Sequence, residues 1–543
     1  MNGAAKRWWL LVTVSVGLLM ITVDMSVLYT ALPTLTQDLG ADASQKLWII
    51  NAYPLVMAGL LLGAGTLGDR VGHKRMFLAG LALFGVASTV AAFAPSPAVL
   101  IGARAFLAVG AAAMMPATLS LVRTTFDDER ERNIAMGVWG SMSVVGSALG
   151  PIVGGLLLEH FWWGSAFLIN VPVVVIALIA GAVLAPGDSG RSDRPWDLIA
   201  SAQIMIGLVG LVYAVKEATK PGPQPLHLVL ALLASAAGFT LFVRRQRRQE
   251  HPLLDFALLR HPHILSGIVA ASLAMFATAG VQLVLAQRLQ LVVGLTPLDA
   301  GLLVAAFAAG CLPAGMVAGG LVHRSGPRPL IVGGLLAGTV GVLLTLLLTP
   351  GVVPFLRIHP DHPAWVVPGL VVAGAGTALA MTAASTAIMG NAPVHRAGMA
   401  ASVEEVSYEL GSLFGVAILG SALASVYTTT VHLPAGVPDA ARDSLDQART
   451  TAEDLPTDRA ESLLDAAHTA FDNGYALTLL ISAAALAVGC VFTARRLSRT
   501  APEPDPNPDP EQQPESVAGL PPTWQPPEAT PTHKEVHPMT DSC

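Results

Sequence analysis

Apolar stretches recur along the whole chain, the first over residues 8–32 and the last over 473–493. Fourteen of them reach the roughly 20 residues that a membrane-spanning helix needs. Lipid offers nothing to satisfy a backbone N–H or C=O, so such stretches fold as helices, and none alternates in the manner of a barrel strand. Composition supports the same reading. Of 543 residues, 53% are hydrophobic and only 13% are charged, against about 25% charged in a soluble chain. No soluble fold of this size could hide so much apolar surface. Lys6 and Arg7 ahead of the first stretch look like the start of a signal peptide. That stretch is too long, however, holds Asp24 and lacks a small-residue cleavage site, so it reads as the first span. Cys311, Cys490 and Cys543 make no disulfide framework.

The basic residues set the orientation. With fourteen spans, 22 of the 31 Lys and Arg fall on the side of the termini and 8 on the other, while Arg104 lies inside a span. Positive charge is retained in the cytoplasm, so both termini are expected there, in the inner cell membrane. A missed span would have scrambled this sorting. Residues 426–472 are polar and Ala-rich and are expected to form a helical cap outside. The Pro-dense tail is expected to be disordered.

A weak duplication organises the spans. Gly65-Thr-Leu-Gly-Asp69-Arg70-Val-Gly72-His-Lys74 follows span 2, and Gly319-Gly-Leu-Val-His323-Arg324-Ser-Gly326-Pro-Arg328 follows span 10. Parallel six-helix repeats around a central site are the plan of a large class of secondary carriers. The expected layout is an all-α membrane protein with a six-helix half over 1–185, a two-helix insert over 186–250, and a second six-helix half over 251–493. The tail over 494–543 completes it.

On these residues the chain resembles the major facilitator superfamily, in particular its fourteen-span drug:proton antiporters. The loop Gly65–Arg75 is similar to the signature between spans 2 and 3. In span 5, Gly146-Ser-Ala-Leu-Gly150-Pro151-Ile-Val-Gly154-Gly155 is similar to the antiporter motif. The runs around Asp24, Phe167-Leu-Ile-Asn170-Val-Pro172 and Val403-Glu404-Glu405-Val-Ser-Tyr408-Glu409 resemble the branch that exports quaternary ammonium compounds. The resemblance covers about 8–493. It implies exchange of protons for small-molecule cationic substrates by alternating access, in a monomer embedded in the bilayer.

Charge placed mid-membrane is costly, about 2.5–3.5 kcal/mol for an acid on insertion scales, and usually marks function. Asp24 lies inside span 1 as a proton carrier, a counter-ion or a hydrogen-bonded neutral acid. Glu405 and Glu409 are one turn apart and share a face of span 13, with Glu404 rotated by about 100°. Two such carboxyls should not both ionise unless a cation sits between them, so an entering cation would displace a proton and reprotonation would expel the cation. Glu404 could equally be solvated near the end of the span. Arg104 is expected to neutralise an acid such as Asp24 or to bond backbone carbonyls. Asp69, Arg70 and Arg75 would form a cytoplasmic ion-pair latch. Gly146, Gly150, Pro151, Gly154 and Gly155 permit close helix approach. Tyr53, Trp139 and Tyr408 offer aromatic faces to cations.

Two cavity positions depart from what the resemblance implies: Asn51 in span 2 stands where similar pumps often carry an acid, and span 10 offers Cys311 rather than an acid, so monovalent cations are favoured. No Gly-x-x-x-x-Gly-Lys-Ser/Thr loop occurs, which removes ATP as the energy source. No cofactor, metal or nucleic-acid partner is expected, and no catalytic set suggests an enzyme. The competing expectation is export of a self-made antibiotic or other metabolite on the same fold.

Overall fold

The structure is a computed structural model. It describes residues 3–126, 128–187, 197–218, 224–249, 254, 256, 258–352, 362–391 and 397–497. The tail beyond 497 lies outside them, as do the loop residues 188–196 and 392–396.

The described chain is helical from end to end. The first part holds α1 (Gly3–Asp38), α2 (Ala43–Val71), α3 (His73–Ala92), α4 (Pro97–Thr125), α5 (Glu129–His160) and α6 (Ser165–Leu184). Next come α7 (Leu198–Ala218) and α8 (Pro225–Gln246). The last part holds α9 (Pro262–Leu291), α10 (Pro297–Ser325), α11 (Pro327–Leu348), α12 (Val367–Met389), α13 (Ala397–Phe414, running through a π turn Gly415–Leu419 into Gly420–Thr430) and α14 (Thr457–Leu497). Twelve helices among the described residues are long and apolar enough to cross a membrane, which makes this a multi-pass membrane protein. The other two, α2 and α5, have 29 and 32 residues.

Local chemistry sets the boundaries. Asp42 caps α2 through the Gln45 amide, and the Gln45 side chain returns to the Asp42 amide. The side chains of Ser96, Asp128, Thr296 and Ser444 each accept from a first-turn amide of a later helix. Proline occupies the first turn of α4, α8, α9, α10 and α11, where a missing N–H costs nothing. The duplicated loops are each reduced to one glycine between two helices. Gly72 joins α2 to α3 at φ 104°, and Gly326 joins α10 to α11 at φ 73°. Only glycine adopts that backbone freely, which explains the repeated Gly of the two motifs.

The helices pack in three groups. In the first part α1 lies on α5, α3 on α4, and α2 on α4. In the last part α11 and α10 lie on α12, and α9 on α13 and α14. The α7–α8 pair packs on itself and on α2. Among the described residues, α5 against α10 and α2 against α13 make the larger interfaces between the first part and the last, with α1 also touching α9. We call the end at which α1 finishes the distal end and the other the proximal end.

The region 426–472 is more helical than a loop. The chain runs from α13 through one 3-10 turn, Asp439–Arg442, into a short helix, Leu445–Glu453. The last helix then begins at Thr457, well before the apolar run at 473, and has 41 residues. Ala-rich sequence with Asp458 in its first turn extends the span outward without a break.

Candidate transport site

The first buried charge centre lies between α1, α4 and α6. Asp24 and Arg104 are 2% and 1% exposed. Arg104 Nη1 donates to Asp24 Oδ2 at 2.7 Å, and Asn170 Nδ2 donates to Asp24 Oδ1 at 2.8 Å. Both carboxylate oxygens are therefore occupied. Arg104 is held further by the Ile49 carbonyl, which accepts from Nε at 3.3 Å, and by the Tyr53 ring, 4.7 Å from its guanidinium carbon. Pro54 interrupts the hydrogen-bond ladder of α2 in that turn. The two sequence alternatives for Arg104, an acid or a backbone carbonyl, are thus both present.

The second centre is on α13, and it is bonded differently. Tyr408 donates to Glu404 Oε1 at 2.5 Å, one turn apart on the same helix. Glu409 is 8% exposed, and its Oε2 has no protein partner. Glu405 is partly buried and lies close enough to both Glu404 and Glu409 to repel them. Leu47 lies against Gly420 and Gly65 near Ser402, so α2 and α13 run antiparallel. That register sets Glu409 level with the turn after Pro54. Helix α2 packs on both α4 and α13, so it stands between the two centres, with Tyr53 turned to Arg104. Tyr53 Oη and Asn51 Oδ1, on the same stretch of α2, are also buried without a partner. A buried polar group left unbonded costs about 1–3 kcal/mol, and three such groups lie on α2 and α13 near their interface.

The remaining sequence candidates are spread more widely. Trp139 donates its ring N–H to Thr118 Oγ1 at 3.2 Å, between α5 and α4. Cys311 donates to the Gly374 carbonyl at 3.2 Å, which turns it into the α10–α12 contact rather than toward the acids. The α5 glycines form two contacts. A Cβ at Gly146 or Gly150 would strike the Thr22 or Ser26 side chain of α1, and Ser26 Oγ donates to the Gly146 carbonyl at 3.2 Å. A Cβ at Gly155 would strike the Leu298 backbone of α10, and one at Gly301 would strike the Pro151 carbonyl. Gly154 meets Val27. The motif therefore closes α5 onto α1 along one face and onto α10 at the distal end. Arg70 and Arg75 are exposed at the proximal end, and the Asp69 side chain lies outside the described residues.

Several charged groups were not singled out from sequence. Arg288 and Asp472 pair twice, at 2.7 and 2.9 Å, with Arg288 also on the Pro350 carbonyl and above the Tyr475 ring. Sorting both residues into outer loops concealed the pair, because the last span was read as starting at 473. Asn170 appeared in a quoted motif, but its hold on Asp24 spans 146 residues and no spacing rule reveals it.

A family model described as Major Facilitator Superfamily matches residues 14–245 and 264–437. The chain belongs to the Major Facilitator Superfamily. Within it, the chain is 38% identical over 501 residues to the methyl viologen resistance protein SmvA of Salmonella typhimurium, covering 91% of this chain and 99% of that protein. It is 38% identical over 496 residues to the multidrug efflux pump LfrA of Mycolicibacterium smegmatis, covering 90% and 96%. Among solved structures it is similar to a bacterial homologue of the human lysosomal transporter Spinster in an inward-facing, unoccupied conformation. There the TM-score is 0.62 at 15% identity, over 92% of this chain and 99% of that one, which speaks for the facilitator fold alone.

Proposed function

We propose that this facilitator is a proton-coupled antiporter that exports lipophilic organic cations, drugs, dyes and antiseptics of the quaternary ammonium type, by alternating access. It does so on fourteen spans, with α2 and α5 counted among them, α7–α8 as an insert between two six-helix halves, and both termini in the cytoplasm of a monomer. The observation that carries the reading is Glu409, whose Oε2 has no protein partner, on the far side of α2 from the closed Asp24–Arg104 pair. A buried carboxyl with an oxygen that no protein group satisfies is stable in the membrane when protonated or when a mobile cation joins it. Binding of one therefore excludes the other, and that exclusion couples the two fluxes.

The roles divide accordingly. Glu409 and Glu405 exchange protons for cargo. Asp24 and Arg104 stay ionised together and, with the Tyr53 ring over the guanidinium, hold the first half in register. Glu404 is held by Tyr408 at the proximal side of the same helix. The α5–α10 contact at Gly155 and Gly301 shuts the distal mouth in this conformation, so cargo would enter from the proximal side.

The relatives support export as the direction, since one is named an efflux pump and another a resistance protein. Methyl viologen carries two permanent charges. The preference for monovalent cargo thus rests on Asn51 and Cys311 alone, and Cys311 is turned away from the acids. The test is proton release from everted vesicles. Adding a monovalent quaternary ammonium compound should discharge an imposed gradient, and Glu405→Gln combined with Glu409→Gln should abolish the discharge. Release that persists unaltered in that variant, or no release from the native protein, defeats the coupled mechanism. A dication that discharges the gradient as well as the monocation removes the preference for single charge.

A further inference from the structure

We infer that the segment between α13 and α14 is a strap that holds the distal mouth shut, and that the ion pair Lys46–Asp446 is its releasable clasp. The inference rests on alternating access, but on neither proton coupling nor the nature of the cargo.

The pair joins parts of the molecule that other described pairs do not. Asp24–Arg104 and Arg7–Glu131 stay within the first six helices, Arg245–Asp197 within α7–α8, and Arg288–Asp472 within the last six. Lys46 is on α2, while Asp446 is on the short helix Leu445–Glu453, 400 residues away. Their nitrogen and oxygen are 2.7 Å apart, with side chains only 11% and 14% exposed. Salt therefore screens the pair weakly, and separating it exposes two charges that water must take up.

Position makes the clasp reversible. Lys46 stands in the first turns of α2, where the positive end of the helix dipole disfavours a cation. Asp446 stands in the first turn of its own helix, where the same dipole favours an anion. Only the contact between them offsets the misplacement of Lys46, so its location makes sense as part of a joint between halves. Beneath the pair lies a cavity of about 60 Å³, walled by Leu47 and Ile50 on one side and by Leu283, Tyr427 and Phe471 on the other. It has room for a few waters, which would hydrate the charges as they part.

The strap is anchored on its own half. Arg449 Nη1 donates to the Gln290 carbonyl at 3.3 Å, at the end of α9. Tyr427 donates to the Ala441 carbonyl at 3.1 Å, and Ser444 caps the short helix. When α2 swings outward, the strap stays with α9 and α13, and the clasp is the bond that must break. A second crossing contact, Gln290 Nε2 to the Thr30 carbonyl of α1 at 3.0 Å, lies at the same end.

The test reads closure directly. Ile50, 3% exposed and lining the cavity, is replaced by Cys in a background carrying Cys311→Ser, Cys490→Ser and Cys543→Ser. Full-length protein in lipid nanodiscs, with no substrate or gradient, is then labelled with a membrane-impermeant maleimide. Lys46→Ala or Asp446→Ala should each raise the labelling rate by about tenfold, the scale of one such pair. Lys46→Arg should stay within about twofold of the parent. The swap Lys46→Asp with Asp446→Lys should restore slow labelling. Separately, Lys46→Cys with Asp446→Cys, oxidised, should stop transport in vesicles until a reductant is added. Unchanged labelling in both single variants, or a swap that labels as fast as they do, overturns the clasp. Transport that continues through the oxidised pair does the same. A lack of proton coupling in the native protein would leave these rates unaffected.

Discussion

Asp24 and Glu409 are both carboxylic acids buried in the membrane, 2% and 8% exposed, yet their surroundings are opposite. Asp24 has both oxygens filled, by Arg104 and Asn170. Glu409 has an oxygen with no protein partner. A buried acid with a complete set of partners is fixed in charge, because protonation would strand the guanidinium beside it. An acid without partners keeps two states available, so long as something mobile supplies the proton or the cation. On the proposed reading, the first part carries a permanent ion pair and the last part an adjustable one.

The largest test of that division is Arg104→Ala. It leaves Asp24 buried and unpaired and should cost about 3–5 kcal/mol of stability, seen as a drop in melting temperature and in monodisperse yield. Asp24→Asn with Arg104→Gln removes both charges and should recover most of the loss. If the single and double variants melt alike, the pair is not what holds the first half. Glu409→Gln should give the reverse pattern. Stability should change by less than about 1 kcal/mol, as for substitutions that break no existing bond, while drug-driven proton release falls to the level of empty vesicles. A large loss of stability would mean that Glu409 has a structural partner after all. Gly301→Ala is intermediate, since its methyl group meets the Pro151 carbonyl. It should part α5 from α10 and destabilise the closed distal end by about 1–3 kcal/mol, the usual scale of overpacking, read as faster labelling of a distal cysteine. Tyr408→Phe is the smallest. Removing its bond to Glu404 should cost about 1 kcal/mol and slow export only modestly.

Much of this contrast was legible in the sequence, and the reasons are physical. Long apolar runs leave helices as the only option, so every candidate span falls on a helix. Asp24 and Arg104 stand out because charge is rare among such residues, and their pairing follows from cost. Glu404, Glu405 and Glu409 stand out for the same reason. Sequence spacing cannot say which acid is already satisfied, because that depends on Asn170 and Tyr53 arriving from other helices. It also placed Cys311 in the cavity, whereas the sulfur turns to the Gly374 carbonyl, a choice made by helix rotation. Arg288–Asp472 escaped because hydropathy ends the last span where polarity begins, while the helix runs on from Thr457. Lys46–Asp446 escaped because its partners are 400 residues apart, one of them on a short helix in a polar connection.

The π turn at Gly415–Leu419 lies just distal to the acids on α13. Such a turn stores one residue more than the surrounding helix requires. Shortening a membrane helix by one residue ordinarily rotates everything beyond the cut by about 100° and ruins its packing. Within 415–419 a single deletion can be absorbed by the surplus, leaving Glu409 and Tyr427 on their present faces. Insertion and deletion scanning of α13 should therefore find one tolerant window in an otherwise intolerant span.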